Sequence, residues 1–339
     1  CVRVLDAAAR ASLCALELPE NEAALSVCAV PFRDLGGEFA VVVGSAVRLS
    51  LHPRDSDGGV LRVYRLADQG ARLDLLHETR TEDVPYALAA FEGRLLAGVG
   101  RVLRLYELGK KRLLRRCEAP PFPVLVQSIL VVSGDKLVVG DLAESFHWVR
   151  YRSAENSFHV FADDTTPRWL TAACALDANT VAGADKFGNV VVLRLPAEAE
   201  ADVDDEGDPA KAEEISSYHV GEMVVSLHKV RLSPAAHEVI LYATNLGAVG
   251  ALLPVRSRDD MDLLKHLEMH LRQEAQPLCG RDHQFFRSAF FPVKDTTDGD
   301  LCEQFGTLAV DTQRAVAEEL DRTPAEVLKK LEELRSCML

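Results

Sequence analysis

Residues 86–117 have the sequence YALAAFEGRLLAGVGRVLRLYELGKKRLLRRC, and this stretch decides the predicted fold. It contains four apolar runs separated by gaps that hold glycine or charged residues, which are typical of tight turns. The runs predict strands at Tyr86 to Phe91, Arg94 to Val99, Arg101 to Leu108 and Arg112 to Cys117. Four antiparallel strands joined by short turns form one blade of a β-propeller, so we predict a blade here.

The same pattern recurs along the chain, and the second run of each group ends on a small residue. These residues are Gly44, Gly98, Gly140, Gly183 and Thr244. The uninterrupted groups repeat at about 40 to 45 residues, which is typical of four-stranded propeller blades. Inner runs are almost entirely apolar and outer runs alternate, as expected where neighbouring blades bury the inner strands. We therefore predict a mainly β fold in which five blades can be counted.

Two shorter runs precede the first complete group. Cys1 to Leu5 and Ser12 to Leu18 predict the last two strands of another blade. Because the chain begins without methionine and within a blade, we expect a piece of a longer polypeptide whose upstream strands close the ring.

Composition excludes several classes of protein. The chain has 339 residues, of which 48% are hydrophobic, so it can bury a sizeable core. No apolar run approaches the roughly 18 residues that a transmembrane helix needs, and the first residues lack the pattern of a signal peptide. The formal net charge of -14 opposes non-specific binding to nucleic acid. The 8 cysteines contain no CxxC pair, which indicates reduced thiols in a cytosolic or nuclear protein.

The periodicity changes after Pro254 from two to about 3.6 residues, so we predict propeller blades at 1–255 and a helical domain at 256–339. A first helix is predicted over RDDMDLLKHLEMHLRQE, with Asp259 or Asp260 as its N-cap. Its apolar face contains Leu263, Leu264, Leu267 and Leu271.

The last helix is marked by Thr323, Pro324 and Glu326. They supply an N-cap, a proline at the first helical position and the third-position carboxylate of a capping box. The apolar stripe of this helix is predicted to contain Val327, Leu328, Leu331 and Leu334.

The acidic stretch at residues 197–214, AEAEADVDDEGDPAKAEE, interrupts the longest repeat interval. Its charge and its Gly and Pro content leave too little apolar surface for ordered packing, so a flexible loop is predicted. The alternative is an acidic arm that engages a basic partner.

Several long segments resemble one protein family, in the order in which its members carry them. They are YHVGEMVVSLHK at 218–229, HLEMHLRQEAQPLCGRDHQFFRSAFFPVK at 266–294, DGDLCEQF at 298–305 and EELDRTPAEVLKKLEELR at 318–335. The family consists of giant scaffolds with three propellers. It includes the large propeller adaptor of DNA-damage ubiquitin ligases and the large subunit of the cleavage and polyadenylation factor. The CGRDH and LDRTPAEV motifs resemble its splicing members.

The resemblance implies the third, seven-bladed propeller of such a scaffold, incomplete in this chain, followed by a small helical C-terminal domain. It implies a nuclear protein without catalytic residues, cofactor or metal. This protein would support branch-site recognition in pre-mRNA splicing, within the splicing factor 3b complex of the U2 small nuclear ribonucleoprotein. The implied partners are a HEAT-repeat subunit docked outside and small subunits lodged between the first and third propellers. The alternative is an adaptor of a cullin ubiquitin ligase or a subunit of the cleavage and polyadenylation machinery.

By the same resemblance, the segment after the PRW motif at 167–169 faces the cleft between propellers. Trp169, Thr171 and Ala172 are therefore predicted partner contacts, and the alternative for Trp169 is a core residue at a strand start. Direct contact with RNA is left open, and no membrane partner is expected. A basic run contains Lys110, Lys111, Arg112, Arg115 and Arg116. It could touch RNA, or it could prevent pairing at an exposed strand edge.

The segment from Cys279 to Phe305 suggests either a site or a structural joint. Cys279, His283 and Cys302 could bind zinc, but they lack a paired fourth ligand. We favour a hydrogen-bonded network that holds the helical tail to the last blade. Its members would be Arg281, Asp282, His283, Arg287, Asp298 and Asp300. The phenylalanines expected to pack beneath it are Phe285, Phe286, Phe290 and Phe291.

Catalytic alternatives have simpler structural interpretations. Asp298 and Asp300 could form a carboxylate pair, yet Asp-Gly before a short apolar run is typical of a turn and helix cap. Asp163 and Asp164 precede a proline, where they can cap or pair with Arg168. GADKFGN at 183–189 leads from strand to strand and lacks the helix start of a phosphate loop, so a hairpin turn is predicted. A propeller enzyme is disfavoured because the inner runs contain almost no His, Asp or Glu.

Overall fold

A computed structural model of the chain describes residues 1–200, 208–274 and 280–338. Strands dominate its first part and helices its C-terminal part, in agreement with the predicted mainly β fold. By its internal contacts the chain divides into two compact units. The first contains Cys1–Leu170, Asp177–Asn179 and Leu195–Ala212, and the second contains Thr171–Leu176, Thr180–Arg194 and Glu213–Leu339.

The first unit consists of antiparallel sheets that follow one another in chain order. A two-stranded sheet contains β1 (Val2–Asp6) and β2 (Ala11–Leu16), as predicted for the opening runs. The second sheet contains β3 (Glu22–Pro31), β4 (Phe39–Val47), β7 (Gly59–Ala67) and β8 (Arg72–Thr81). Between β4 and β7, the strands β5 (Ser50–Leu51) and β6 (Arg54–Asp55) form a separate small hairpin. The third contains β9 (Pro85–Phe91), β10 (Arg94–Val99), β11 (Val102–Leu108) and β12 (Leu113–Glu118). The fourth contains β13 (Val126–Ser133), β14 (Lys136–Asp141), β15 (Ser145–Arg152) and β16 (Ser157–Asp163).

The remaining strands complete the blade-like sheets that the repeat predicts. One sheet begins with β17 (Leu170–Ala175), β18 (Thr180–Asp185) and β19 (Asn189–Arg194). The short β20 (Ala210–Lys211) pairs in parallel with β16, and β21 (Glu213–His219) pairs with β19. The last sheet contains β22 (Val224–Arg231), β23 (Glu238–Thr244) and β24 (Val249–Leu252).

The recurring small residues lie where consecutive sheets of the first unit come closest. A Cβ atom on Gly98 of β10 would lie 2.4 Å from the side chain of Val126, at the start of β13. A Cβ atom on Gly44 of β4 would lie 2.8 Å from the carbonyl oxygen of Pro85 in β9. A larger side chain does not fit at such distances in a close-packed interior. The small residue therefore recurs because the inner strand of the next sheet packs against it.

Strand β10 is buried on both faces, which explains its continuous apolar sequence. Leu95 packs in a cluster with Val42 of the second sheet. Leu96, on the opposite face, packs in a cluster with Leu137 and Val149 of the fourth sheet. Because side chains alternate along a strand, one strand contributes to two cores, as the prediction of stacked blades requires.

The acidic stretch is only in part a loop. Residues 201–207 lie outside the described ranges, so the predicted flexibility there stays a prediction. At its C-terminal end the prediction is wrong, since β20 lies within it and β21 begins at Glu213. The backbone amide of Ala212 donates to the carbonyl of Asp163 at 2.8 Å, so pairing with β16 orders these residues despite their charge.

The helices follow the sheets within the second unit. They are α1 (Arg258–Glu274), α2 (His283–Arg287), α3 (Gly299–Glu303), α4 (Val310–Glu319) and α5 (Pro324–Ser336). Single 3-10 turns lie at Arg33–Leu35, Asp68–Gly70, Ala197–Glu200 and Gln304–Thr307. None of the helices in the described ranges is long and apolar enough to cross a membrane.

Helix α1 covers the predicted segment, and its four leucines are buried as expected. The predicted cap is wrong, because the helix begins at Arg258 and the Ser257 hydroxyl accepts from the Asp260 amide at 3.4 Å. Asp259 and Asp260 lie in the first turn, where negative charge interacts favourably with the helix dipole.

Helix α5 carries the predicted capping box, with Thr323 and Glu326 each accepting from the backbone amide of the other. Val327 is buried, and Leu331 and Leu334 pack against the same core cluster. Leu328 is 41% exposed, contrary to prediction, because it lies about 100° around the helix from Val327. The proposed domain boundary at residue 255 stays a prediction.

Candidate interaction site

Trp169 presents a large aromatic side chain to solvent. It immediately precedes β17, and 46% of its surface is exposed. The alternative interpretation of Trp169 as a core residue is therefore wrong. Tryptophan is enriched among the residues that contribute most to binding energy in protein interfaces, so this side chain suits a partner contact.

A buried ion pair fixes the loop that ends at Trp169. The Nε atom of Arg168 donates to Oδ2 of Asp164 at 3.1 Å, and these two side chains are 2% and 4% exposed. The same carboxylate oxygen accepts from the hydroxyl of Ser145 at 2.6 Å. The predicted pairing of Asp164 with Arg168 is confirmed. Since buried charges must be paired and hydrogen-bonded, this arrangement holds the loop in one conformation.

Thr171 and Ala172, the other two predicted partner contacts, contribute mainly to packing inside the second unit. The Thr171 hydroxyl donates to the carbonyl of Val224 at 2.6 Å. Ala172 is half-buried and packs against a core cluster that includes Cys174. Of the three predicted contacts, Trp169 is thus the one with a large exposed side chain.

Asp298 is the centre of a polar cluster that we call the joint cluster, formed by Glu268, His283, Arg287 and Asp298. Only 3% of the Asp298 side chain is exposed. Its Oδ1 atom accepts from the amides of Asp300 and Leu301 at 3.1 and 3.2 Å, which confirms the predicted helix cap at α3. Its Oδ2 atom lies 2.8 Å from Nη2 of Arg287 and 3.1 Å from Nε2 of His283.

Opposite charges set the protonation states of the joint cluster. Burial alone would raise the pKa of Asp298, but His283 and Arg287 outweigh it and hold that pKa well below its usual range. Contacts with Asp298 and Glu268 raise the pKa of His283 to about 9. Both groups are therefore charged at neutral pH. General acid–base catalysis favours a pKa near the working pH, so this geometry suits structural pairing better than proton transfer.

Arg287 connects α2 to strand β21. Its Nη1 atom donates to the carbonyls of His219 and Val220 at 2.9 and 3.1 Å. Its guanidinium group lies over the Tyr218 ring, 4.8 Å from the centroid. The predicted contact with the last blade is therefore corrected: Arg287 reaches the sheet that contains β21, because the accepting carbonyls belong to His219, the last residue of β21, and to the adjoining Val220.

Backbone pairing adds a second attachment that the sequence did not predict. The amide of Ser217 donates to the carbonyl of Lys294 at 3.1 Å, and the amide of Lys294 donates back at 3.0 Å. The hydroxyls of Ser216 and Thr296 lie 2.6 Å apart. A single bridge has no periodicity, so the sequence carries no local signal for it.

The four phenylalanines predicted beneath the joint form two groups. Phe286 and Phe291 are half-buried, and Phe286 packs edge-on against His219 at a centroid distance of 5.5 Å. Phe285 and Phe290 are 69% and 55% exposed, so their predicted burial is wrong. Helix α2 has only 5 residues and turns the Phe285 side chain away from the sheet, whereas Phe290 lies beyond the end of α2 and stacks on Phe187.

The other residues assigned to the joint lie at its periphery. Asp282 caps α2, since its Oδ1 atom accepts from the Phe285 amide at 3.0 Å. Arg281 and Asp300 have exposed side chains. The structure thus brings His283, Arg287 and Asp298 into direct contact, and Glu268 is a member that sequence spacing did not indicate.

The zinc alternative receives no support from the described residues, which contain no group of three or more His, Cys, Asp or Glu side chains suited to a metal ion. Cys279 lies outside them. Cys302 is buried in the helical core cluster, and burial raises its pKa far above that of a free thiol. Because thiolate is the form that binds metal, Cys302 is a poor ligand in this setting.

Two further motifs have structural roles. GADKFGN forms the predicted hairpin turn between β18 and β19, in which Asp185 accepts from the amides of Phe187 and Asn189, both at 2.9 Å. Asp163 pairs with Lys211 at 2.7 Å.

The basic run lies at the edge of the third sheet. Arg115 projects from the edge strand β12 and pairs with Glu118 at 2.9 Å, and Arg116 pairs with Glu107. These pairs favour the interpretation that the basic residues protect a strand edge. Contact with RNA stays a prediction.

Blade-like antiparallel sheets followed by helices define a protein of the propeller class. A family model described as the CPSF A subunit region matches residues 1–307, and the chain belongs to this family.

Similar proteins carry splicing names. Spliceosome-associated protein 130 A of Arabidopsis thaliana is 50% identical over 351 residues, which cover 99% of this chain and 29% of the relative. Splicing factor 3B subunit 3 of Danio rerio is 48% identical over 349 residues, which cover 99% of this chain and 29% of that protein. The protein of the same name in Drosophila melanogaster is 43% identical over 350 residues, which cover 99% of this chain and 28% of that protein. These identities confirm the predicted resemblance to the splicing members of the family. The chain spans less than a third of the length of these curated relatives.

Proposed function

We propose that the chain is the C-terminal part of a non-enzymatic scaffold that acts in pre-mRNA splicing within the splicing factor 3b complex of the U2 small nuclear ribonucleoprotein. The observation that carries the proposal is the identity of 43 to 50% across 99% of the chain with proteins named as splicing factors. Branch-site recognition would then be the step that the scaffold supports, and the nucleus its location.

The architecture supports a binding role. Stacked sheets with double-sided cores are rigid, and the loops between their strands present side chains at fixed positions, which allows partner binding without requiring a catalytic group. Trp169, held by the buried pair of Arg168 and Asp164, has this property. We propose Trp169 as the principal partner contact of the first unit, and Thr171 and Ala172 as weaker candidate contacts in the second unit.

Partners follow from the same proposal. Small subunits would lie between the first and third propellers of the whole protein, and a HEAT-repeat subunit would dock outside. The chain itself would supply blades of a seven-bladed third propeller. The net charge of -14 makes protein surfaces better partners than phosphate backbones.

The joint cluster would have a structural task in this scaffold. We propose that Arg287, His283 and Asp298 hold the helical tail against β21, with Asp282 capping α2 and with Arg281 and Asp300 at the rim. The support is a carboxylate that caps α3 and also pairs with α2.

Cross-linking mass spectrometry on the assembled complex tests the proposal. Lysine cross-links from this region to subunits of the splicing factor 3b complex are expected. The alternative, an adaptor of a cullin ligase or a polyadenylation subunit, is compatible with the CPSF A family. It predicts cross-links to those assemblies instead, and such a result would replace the proposed function.

A further inference from the structure

Two exposed phenylalanines stack on each other at the surface of the second unit. Phe187 lies in the turn between β18 and β19, and Phe290 follows α2. Their ring centroids are 5.2 Å apart with an interplanar angle of 29°. Phe187 is 44% exposed and Phe290 is 55% exposed. We call this pair the aromatic patch. It is not used by the joint cluster, which is formed by other side chains.

The aromatic patch is held in place from below. His219 packs against Phe290 and also against Phe286, with a centroid distance of 5.5 Å in each case. The His219 Nδ1 atom lies 2.9 Å from Oδ1 of the buried Asn189. A pre-organised aromatic surface loses little conformational entropy when it binds, which favours its use as an interface anchor.

A lysine lies beside the aromatic patch. In the turn between β18 and β19, Asp185 is buried and its carboxylate accepts hydrogen bonds from within the turn. Lys186 and Phe187 are the exposed residues of that turn. The Lys186 ammonium lies 5.0 Å from the centroid of the Phe187 ring. The surface thus offers two apolar ring faces next to a cation, in a chain whose net charge is negative.

We propose that the aromatic patch binds a segment of a protein partner that carries an apolar side chain next to an Asp or Glu residue. The apolar side chain would pack on Phe187 and Phe290, and the carboxylate would lie against Lys186. This inference rests on the proposed scaffold function and adds a second contact surface to Trp169. An aromatic pair beside a lysine also suits a stacked RNA base, but the net charge of -14 favours a protein.

A photo-crosslinker tests the inference directly. The full-length protein is expressed with p-benzoylphenylalanine in place of Phe187, irradiated in its native assembly and analysed by mass spectrometry. A cross-link to a peptide of another protein subunit, with Asp or Glu within a few residues of the linked position, is expected. A control with the same group in place of Phe39, which is 62% exposed in the first unit, should not give that peptide. Cross-links to RNA, to this chain alone, or none above the control would overturn the proposal.

Substitutions then measure the contribution of the patch. Phe187→Ser combined with Phe290→Ser, and separately Lys186→Glu, should lower recovery of the cross-linked subunit by about tenfold, the loss expected for an interface anchor. Phe39→Ser should leave recovery unchanged. Unchanged recovery in both patch variants would overturn the proposal. The same purifications are tested for U2 components: if these are present without the cross-link, this inference fails alone, and if they are absent, the proposed function fails.

Discussion

The buried carboxylate of Asp298 lies 2.8 Å from Nη2 of Arg287, and its other oxygen caps α3. One side chain therefore links two helices, and through Arg287 it reaches strand β21. Removal of one partner of a buried ion pair leaves the other charge desolvated and unpaired, which is costly.

We expect Asp298→Ala to lower the free energy of unfolding by about 3 to 5 kcal/mol. Denaturant unfolding followed by circular dichroism measures this. Asp311→Ala is the matched control, since its ion pair with Arg314 is on the surface and the Asp311 side chain is 98% exposed. An equal loss for the two variants would contradict the structural role of Asp298.

The pKa of His283 predicts a pH dependence with a definite sign. Its pKa is raised to about 9 in the folded protein, above the ordinary histidine value of 6.5. The stabilisation by protonated His283 is therefore complete below about pH 6.5 and is lost as the pH rises through 9, with a limit of about 3 kcal/mol. The difference in unfolding free energy between wild type and His283→Gln should shrink between pH 6 and pH 9.5. A difference that does not change with pH would show that His283 is not charged in the fold.

The close approach of Gly98 to the next sheet predicts that even one methyl group is harmful there. We expect Gly98→Ala to cost about 1 to 3 kcal/mol through overpacking against Val126. Gly299→Ala is the control, because a Cβ there meets no atom within 4 Å. Thermal unfolding of the two variants tests this, and the melting temperature of Gly98→Ala is expected to be the lower. A Gly98→Ala protein as stable as the control would argue against stacked blades.

Trp169 should matter for binding and little for stability. Trp169→Ala is expected to reduce retention of the contacted subunit by about tenfold in a pull-down, with an unchanged melting temperature. Leu246→Ala, at a residue that is 75% exposed, serves as the comparison. Normal retention of every subunit by the Trp169 variant would remove this residue from the interface.

Local patterns explain what the sequence could predict. The strands within residues 86–117 and helix α1 agree with prediction to within one residue, because periodicity and turn residues are local signals. The capping box at Thr323 is likewise a motif of a few residues.

Contacts between distant segments explain the rest. Tyr218 and His219 meet Arg287 from almost 70 positions away, and no spacing rule indicates that pairing. Phe285 and Phe290 were expected to be buried from their apolar character alone. The direction in which α2 turns Phe285, and the path of the chain that carries Phe290 beyond α2, depend on tertiary packing instead.

Purification of the tagged full-length protein from nuclear extract, with quantitative mass spectrometry, tests the central claim most directly. The account predicts recovery of U2 components together with splicing factor 3b subunits in amounts comparable to the bait. Stable recovery of a cullin ligase or of cleavage and polyadenylation factors, without U2 components, would contradict it.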